Sequence, residues 1–132
     1  IARQRAQPTH LLVSMLALPA SSNCGAPWAQ MRSQAHLAGV VVCNFVNHLY
    51  AVGAGLMQRA GLPFATLSPL IAETARKAIE SGNPLAVQTG PARRNDRVTI
   101  ERHIGMLEGD KALQDIYEKL SQNIWKETSK RD

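Results

Sequence analysis

The most regular pattern in the chain is a long apolar segment from Ala29 to Ala60, which contains no proline and repeats at helical spacing. At about 100° per residue, one broad stripe is formed by Leu37, Val41, Phe45, Leu49, Val52 and Leu56. Gly61 and Pro63 follow, a combination typical of a helix end. The pattern predicts one unbroken α-helix over 29–60. Other apolar residues fill much of its circumference, so we expect contacts on several sides.

The length of this helix predicts an intermolecular contact. It would extend about 46 Å, whereas a compact domain of 132 residues has a diameter of about 36 Å. The surplus apolar surface requires a second chain or another domain. Small residues four positions apart, Ala35 with Gly39 and Ala51 with Gly55, would allow backbones to approach closely. We therefore expect a homodimer formed through the long helix.

A membrane span is the alternative interpretation of the same segment. Ser33 to Gln58 contains no Asp, Glu, Lys or Arg and is long enough to cross a bilayer. However, Asn44, Asn47 and His48 lie in its middle, where polar side chains are costly. The sequence therefore favours a cytoplasmic protein without a membrane contact.

Three shorter helices are predicted after the long one. Ser68, followed by a proline, has the chemistry of a helix start, and Gly82 that of a stop. Asn95 or Asp96 would cap the next helix, and Asp110 the last. The predicted buried face of the first of the three consists of Leu67, Leu70, Ile71, Thr74, Ala75, Ala78 and Ile79.

These elements predict an all-α fold, a helical bundle built on one long central helix. Residues 1–28 are interpreted as a linker or remnant, and residues 29–132 as one helical domain. Since the chain begins at Ile1 without an initiator Met, we expect it to be part of a longer protein.

Charge and motif content exclude several classes of protein. The net charge is +5, but only Arg93, Arg94 and Arg97 cluster, so nucleic-acid binding is not predicted. Neither a Gly-x-Gly-x-x-Gly nor a Gly-x-x-x-x-Gly-Lys-Ser/Thr motif is present, so no dinucleotide or nucleotide site of the usual kind is expected. Without Cys-x-x-Cys or His-Glu-x-x-His, no metal site is predicted. Two cysteines are too few for a disulfide framework and fit a reducing compartment.

Polar residues on the long helix form the first candidate site. His36 and Asn47 are eleven positions apart, almost three α-helical turns, and Asn44 lies within about 60° of their line. An imidazole and amides suit a carbonyl or carboxylate substrate. The alternative is that these groups only satisfy hydrogen bonds within the fold.

The loop from Gln88 to Asp96 forms the second candidate site. Thr89, Gly90 and Arg93 precede a helix N-terminus, where amide groups, the helix dipole and a guanidinium together suit a phosphate or carboxylate. The alternative is a Gly-Pro turn with exposed arginines and a helix cap. His103 lies seven residues after Asp96, two turns along the same helix face, so it is a candidate to point back towards the loop. The alternative, which is the more common one for a lone helix histidine, is a structural or exposed side chain.

Two separated motifs carry a resemblance to a known family. They are His36-Leu-Ala-Gly-Val, continued by Asn44-Phe-Val-Asn-His-Leu-Tyr, and Gln88-Thr-Gly-Pro-Ala-Arg-Arg-Asn-Asp96 followed by His103. Residues 29–126 resemble a C-terminal domain of uncharacterised function that follows a Rossmann-like domain in predicted NADP oxidoreductases. Those proteins are similar in layout to 6-phosphogluconate dehydrogenase, ketopantoate reductase and pyrroline-carboxylate reductase.

The resemblance implies a helical dimerisation and substrate-side domain of the 6-phosphogluconate dehydrogenase C-terminal type. NADP would then be bound only in the intact parent, by the Rossmann domain that this chain lacks, and the chain would not be active alone. His36, Asn44, Asn47 and His103 are among the matching motif positions, and from their side-chain chemistry we predict that they are catalytic.

Thr89, Gly90, Arg93 and Asp96 also match the motif, and from the chemistry of the loop we predict that they bind the substrate or an anion. The better-understood relatives place a lysine on the long helix and this chain has none there, so their mechanism does not transfer directly. A non-catalytic helical interaction module remains the alternative.

Overall fold

A computed structural model of the chain describes residues 26–130, and all of its elements in that range are helical. The chain divides into two units, Ile1–Phe64 and Ala65–Asp132, which are described separately below. The predicted all-α class is confirmed for the described residues. The segment interpreted as a linker, residues 1–28, lies almost entirely outside them.

The first unit contains the long helix, in which two α-helical parts flank a π-helical turn. Helix α1 spans Ala26–Gly39, the π segment spans Val40–Phe45, and helix α2 spans Val46–Arg59. The prediction of a continuous helical rod is correct, but the prediction of an unbroken α-helix is wrong. The π segment contains three consecutive valines, Val40–Val42, whose β-branched side chains crowd the preceding turn of an α-helix.

The π segment changes which residues share a face. One inserted residue rotates all following positions by about 100° relative to the preceding ones. The stripe predicted from Leu37 to Leu56 is therefore broken into an upstream part, with Leu37, and a downstream part, with Leu49 and Leu56. All three of these leucines are exposed. The apolar surface of the long helix is thus two offset patches.

The predicted end of the long helix is confirmed, together with its mechanism. Gly61 has a φ of +70°, a value that glycine adopts without steric cost. Its N–H donates to the carbonyl of Gln58 over 3.0 Å, and the N–H of Leu62 donates to the carbonyl of Met57 over 2.9 Å. This pair of bonds is the Schellman arrangement, which satisfies the last carbonyls of the helix.

A 3₁₀ turn, Phe64–Leu67, begins at the last residue of the first unit and leads into helix α3 of the second unit, Ser68–Glu80. Ser68 does not cap this helix as predicted, because the N-cap is Leu67 and no side chain caps it. The predicted buried face is also wrong, because none of its seven residues is buried. Leu70 and Ile79 are exposed. The helix ends before Gly82, whose φ of +62° fits the predicted stop.

Two capped helices complete the second unit. Helix α4 spans Arg97–Met106 and helix α5 spans Lys111–Ser129. Asp96 accepts the N–H of Thr99 and Asp110 accepts the N–H of Leu113, each over 3.0 Å, which confirms both predicted caps. A 3₁₀ turn, Pro84–Val87, contacts α3 and α5, and α4 packs on α5.

The small core of the second unit lies around the loop before α4 and the C-terminus of α4. Ala92 and Leu107 are its buried apolar residues. Thr128 is buried near the end of α5, where its hydroxyl donates to the carbonyl of Ile124 over 2.8 Å. This core holds the Gln88–Asp96 loop against α4 and α5.

Candidate functional site

The polar residues of the long helix are all exposed in the first unit. His36 lies on α1, Asn44 lies within the π segment, and Asn47 lies on α2. The inserted residue between them removes the alignment of His36 with Asn47 that a regular α-helix would give. With this extra residue, His48, twelve positions after His36, is the residue that lies on the same helix face as His36. The sequence therefore identified the polar residues but placed them on the wrong common face.

The loop before α4 is a tightly hydrogen-bonded turn. Gly90 has a φ of +102° and Asn95 a φ of +52°, so both use the left-handed region. The N–H of Asp96 donates to the carbonyl of Pro91 over 2.9 Å, and the N–H of Asn95 donates to that of Ala92 over 3.2 Å. These bonds fix the backbone path into the helix. The glycine is required there because other residues rarely adopt its φ.

The helix end that was predicted to bind an anion is occupied by a carboxylate of the chain itself. Asp96 receives hydrogen bonds from the N–H and the hydroxyl of Thr99, which lower its pKa, and the charges of Arg94 and Arg102 act in the same direction. The N–H of Arg97 donates to the carbonyl of Asn95 over 2.9 Å. Two of the first three amides of α4 are thus used internally.

The remaining loop candidates lie on the surface beside this cap. Thr89 is exposed, and its carbonyl accepts the side-chain N–H of Gln88 over 3.0 Å. Arg93 is half-buried. An exposed hydroxyl and a guanidinium can bind a carboxylate or phosphate without the helix amides. The anion site stays a prediction, with side chains as its main donors.

His103 lies on α4 and is bound to the neighbouring helix. Its Nδ1 is 2.7 Å from the hydroxyl oxygen of Tyr117 on α5. The two rings meet edge to face, with centroids 5.8 Å apart and an angle of 81° between their planes. Burial raises the pKa of the Tyr117 phenol. Tyr117 was not identified from the sequence as a polar partner of His103.

A second feature that the sequence did not indicate is a cleft of about 300 Å³ between α4, α5 and the preceding turn. Ile100, Ile104 and Trp125 supply apolar walls. The polar lining residues are Asn95, Arg97, Glu101, Glu118, Ser121 and Gln122. None of the predicted site residues lines this cleft. Its lining comes from two helices and a turn, and only their packing brings these residues together.

Metal binding has no support in the part of the chain that the structure describes. Within residues 26–130, no three His, Cys, Asp or Glu side chains are grouped so that they could hold an ion. Cys43 is an exposed thiol on the π segment.

The long helix also meets the length and composition of a membrane span. Its segment Trp28–Arg59 is 32 residues long and is apolar enough to cross a bilayer. This property is shared by core helices of soluble proteins. It does not by itself place the chain in a membrane.

Comparison with known proteins identifies the family of the chain. A family model described as "Domain of unknown function (DUF2520)" matches residues 10–124. The chain belongs to this family. The match includes both motifs, from His36 to Tyr50 and from Gln88 to His103, so the family resemblance inferred from those motifs is confirmed. No curated protein matches the chain.

This DUF2520 member is also similar to a protein of known structure. The crystal structure of a "putative NADP oxidoreductase" from Bacteroides fragilis shares 47% sequence identity with the chain, with a TM-score of 0.70. The similarity covers 74% of this chain and 37% of that protein. The chain therefore spans little more than a third of the length of its solved relative. The helical domain is a part of such proteins.

Proposed function

We propose that this chain is the helical, substrate-side and dimerisation domain of an NADP-dependent oxidoreductase. The observation that carries the proposal is the 47% identity to a part of the Bacteroides protein, within a family match that includes both motifs. The described residues form no strand–turn–helix unit of the kind that binds dinucleotides. NADP would therefore be bound by another part of the parent protein, where it would supply or accept a hydride. The parent would work in the cytoplasm.

The roles proposed for the two candidate sites follow from their side chains. In the first unit, exposed His36 would donate a proton and Asn44 and Asn47 would orient a substrate oxygen. In the second unit, Arg93 would bind a carboxylate or phosphate of the substrate, and His103 would act as a hydrogen-bond or proton donor. Thr89 is placed to assist Arg93 through its exposed hydroxyl.

Alanine substitutions in the intact parent test these roles. NADPH oxidation would be measured with a panel of carbonyl compounds, first for the unchanged protein and then for His36→Ala and Arg93→Ala. Removal of a donor that acts in the transition state lowers kcat, whereas removal of an anchor mainly raises KM. Lys77→Ala on α3, an exposed cation outside both motifs, is the control. Turnover that both motif variants leave unchanged would reject the roles.

Dimerisation is proposed to use the downstream apolar patch of the long helix, around Leu49 and Leu56. Each of these leucines is 39% exposed although they stand one above the other, seven positions apart, on α2. Apolar surface of this kind on a soluble protein marks a contact with another chain. A second copy is the simplest partner, because a two-fold axis brings the same patch onto itself.

Charged substitutions test the dimer. Leu49→Glu and Leu56→Glu would place a carboxylate in an apolar contact and should convert the dimer into monomers in sedimentation equilibrium. Gln58→Glu is the matched control, since it adds the same group to an exposed polar position on another face. A dimer that survives both leucine substitutions would show that this patch is not the interface. Binding of the unchanged protein to lipid vesicles would instead favour a membrane contact.

A non-catalytic interaction module is the second candidate, and two observations favour it. Asp96 is used as a helix cap and His103 as a partner of Tyr117, which are both structural roles. This alternative predicts that His103→Ala and Arg93→Ala lower the melting temperature without changing turnover of the parent. Loss of turnover at an unchanged melting temperature would reject it.

A further inference from the structure

The hydrogen bond between His103 and Tyr117 joins two helices at a fixed geometry. The Nδ1 atom and the phenol oxygen are 2.7 Å apart, and both residues are half-buried. A second bond stands beside it, because the side-chain N–H of Gln114 donates to the carbonyl of Ile104 over 2.8 Å. The residue next to His103 is therefore tied to the same helix as Tyr117. These two bonds restrict both the position and the rotation of the imidazole.

The phenol is the donor in this bond when the imidazole is neutral. Burial favours the neutral, protonated phenol and raises the pKa of Tyr117, so the phenol keeps its proton at neutral pH. A phenol is a better hydrogen-bond donor than acceptor, because its oxygen lone pair is delocalised into the ring, whereas an imidazole nitrogen without a proton is a good acceptor. At a separation of 2.7 Å the phenol proton is therefore directed to Nδ1.

An imidazole that accepts at Nδ1 must carry its proton on Nε2. Among the residues that the structure describes, Nε2 of His103 has no hydrogen-bond partner of its own. We propose that Tyr117 is a positioning residue that holds neutral His103 as the Nε2–H tautomer, so that His103 presents a hydrogen-bond donor to a carbonyl or carboxylate oxygen of the substrate. This inference rests on the proposed function, which places His103 on the substrate side.

The assignment narrows the chemistry open to His103. A neutral imidazole with its proton on Nε2 can stabilise negative charge on a substrate oxygen, but it has no lone pair on Nε2 with which to remove a proton. His103 would therefore polarise a carbonyl group or bind a carboxylate, and it would not act as a general base through Nε2.

Nitrogen NMR of the imidazole tests the tautomer directly in the full chain. At a pH high enough for neutral imidazole, the shifts of the two ring nitrogens report which one carries the proton. The unchanged protein should show His103 mainly as the Nε2–H form. Tyr117→Phe keeps the ring contact but removes the hydroxyl, and should lower the ratio of Nε2–H to Nδ1–H about five-fold, equivalent to about 1 kcal/mol.

Tyr50→Phe is the matched control, because Tyr50 is the other tyrosine of the chain and lies on the long helix. It should leave the His103 tautomers unchanged. A dominant Nδ1–H form in the unchanged protein would overturn the assignment, and this result does not depend on how any variant folds. An equal tautomer ratio in Tyr117→Phe and in the unchanged protein would overturn it as well.

Turnover of the intact parent separates this inference from the proposed function. If both hold, Tyr117→Phe and His103→Ala should each lower kcat at saturating substrate, with the smaller loss for Tyr117→Phe. Turnover that His103→Ala leaves unchanged would reject the substrate role of His103, even where the tautomer ratio shifts as expected. An unshifted ratio would reject the role of Tyr117 whatever the turnover.

Discussion

Gly53 offers a sharp test of the proposed dimer. A methyl group added at this position should stabilise the separate chain but weaken the association of two chains. Gly53 lies in the regular helix α2, between Leu49, four residues before it, and Leu56, three residues after it. Residues at these spacings share one helix face. A second copy that covers the two leucines would therefore also cover Gly53.

The magnitude for the separate chain follows from its surroundings. A Cβ atom added at Gly53 meets nothing within 4 Å. Gly53→Ala therefore adds no clash and gains the helix propensity of alanine over glycine, about 0.8 to 1.0 kcal/mol. Gly55 has the same open surroundings and should give the same gain. As separate chains, the two variants should be equally stabilised.

The dimer should distinguish the two glycines, because an interface on the Leu49–Leu56 side leaves out the Ala51 and Gly55 pair that the sequence suggested for close approach. Gly55 is rotated by about 200° from Gly53, and its neighbours on the helix face are Ala51 and Gln58. In a packed interface an added methyl group at Gly53 costs about 1 to 3 kcal/mol. A two-fold dimer contains two of the added methyl groups, so the total cost is at least about 2 kcal/mol. Since 1.4 kcal/mol corresponds to a factor of ten, Gly53→Ala should raise the dimer Kd about 30-fold or more, and Gly55→Ala should leave it unchanged.

Sedimentation equilibrium gives the Kd of each variant, and urea unfolding below that Kd gives the free energy of unfolding of the separate chain. Equal Kd values for Gly53→Ala and Gly55→Ala would refute the placement of the interface on the Leu49–Leu56 side. A loss of stability in the separate chain would refute the inference that both positions are open.

Three further predictions concern the second unit. Asp110→Ala should cost about 1 kcal/mol through loss of a helix cap; Asp96→Ala should lower the melting temperature similarly, and Asp96→Asn, which retains capping, should restore it. Glu73 has its pKa lowered to about 2 by hydrogen bonds from Arg76 and then Lys77. The ionised Glu73 carboxylate therefore stabilises the fold above about pH 4.5, and this stabilisation is lost as the pH falls towards 2. The difference in melting temperature between Glu73→Gln and the unchanged protein should disappear over that range. Leu107→Ala removes a buried side chain and should cost about 2 to 5 kcal/mol in urea unfolding; a cost below 1 kcal/mol would contradict its place in the core.

Signals that depend on a few neighbouring residues were predicted well. The caps at Asp96 and Asp110 and the stop at Gly61 were found because each depends on a short stretch of backbone and one side chain or glycine. For the described residues, the helical class and the order of the long helix and the three shorter ones followed from periodicity for the same reason. The two family motifs were also local strings, so the family could be identified from them.

Features that depend on helix rotation over many residues, or on contacts between residues far apart in the chain, were predicted less well. The alignment of His36 with Asn47 assumed a constant rotation over eleven residues, and one π segment was enough to change it. Leu70 and Ile79 were expected to be buried because a helical stripe shows which residues share a face, and not what covers that face. The partner of His103 could not be predicted, since Tyr117 is fourteen positions away on another helix.

The candidate residues can be ranked by the polar atoms that each side chain has left for a substrate after its internal hydrogen bonds are made. The Asp96 carboxylate accepts hydrogen bonds from Thr99, and this role as a helix cap is sufficient to explain an aspartate at this position. Only Nδ1 of His103 is used in the bond to Tyr117, and the same bond leaves the proton of the neutral imidazole on Nε2. Internal hydrogen bonding therefore counts against a binding role for Asp96 but supports one for His103, because a positioned donor loses less entropy on binding than a mobile one. On this argument, His103→Ala should affect turnover of the parent more than Asp96→Asn, and the reverse order would show that the polar atoms left over after folding do not identify the site.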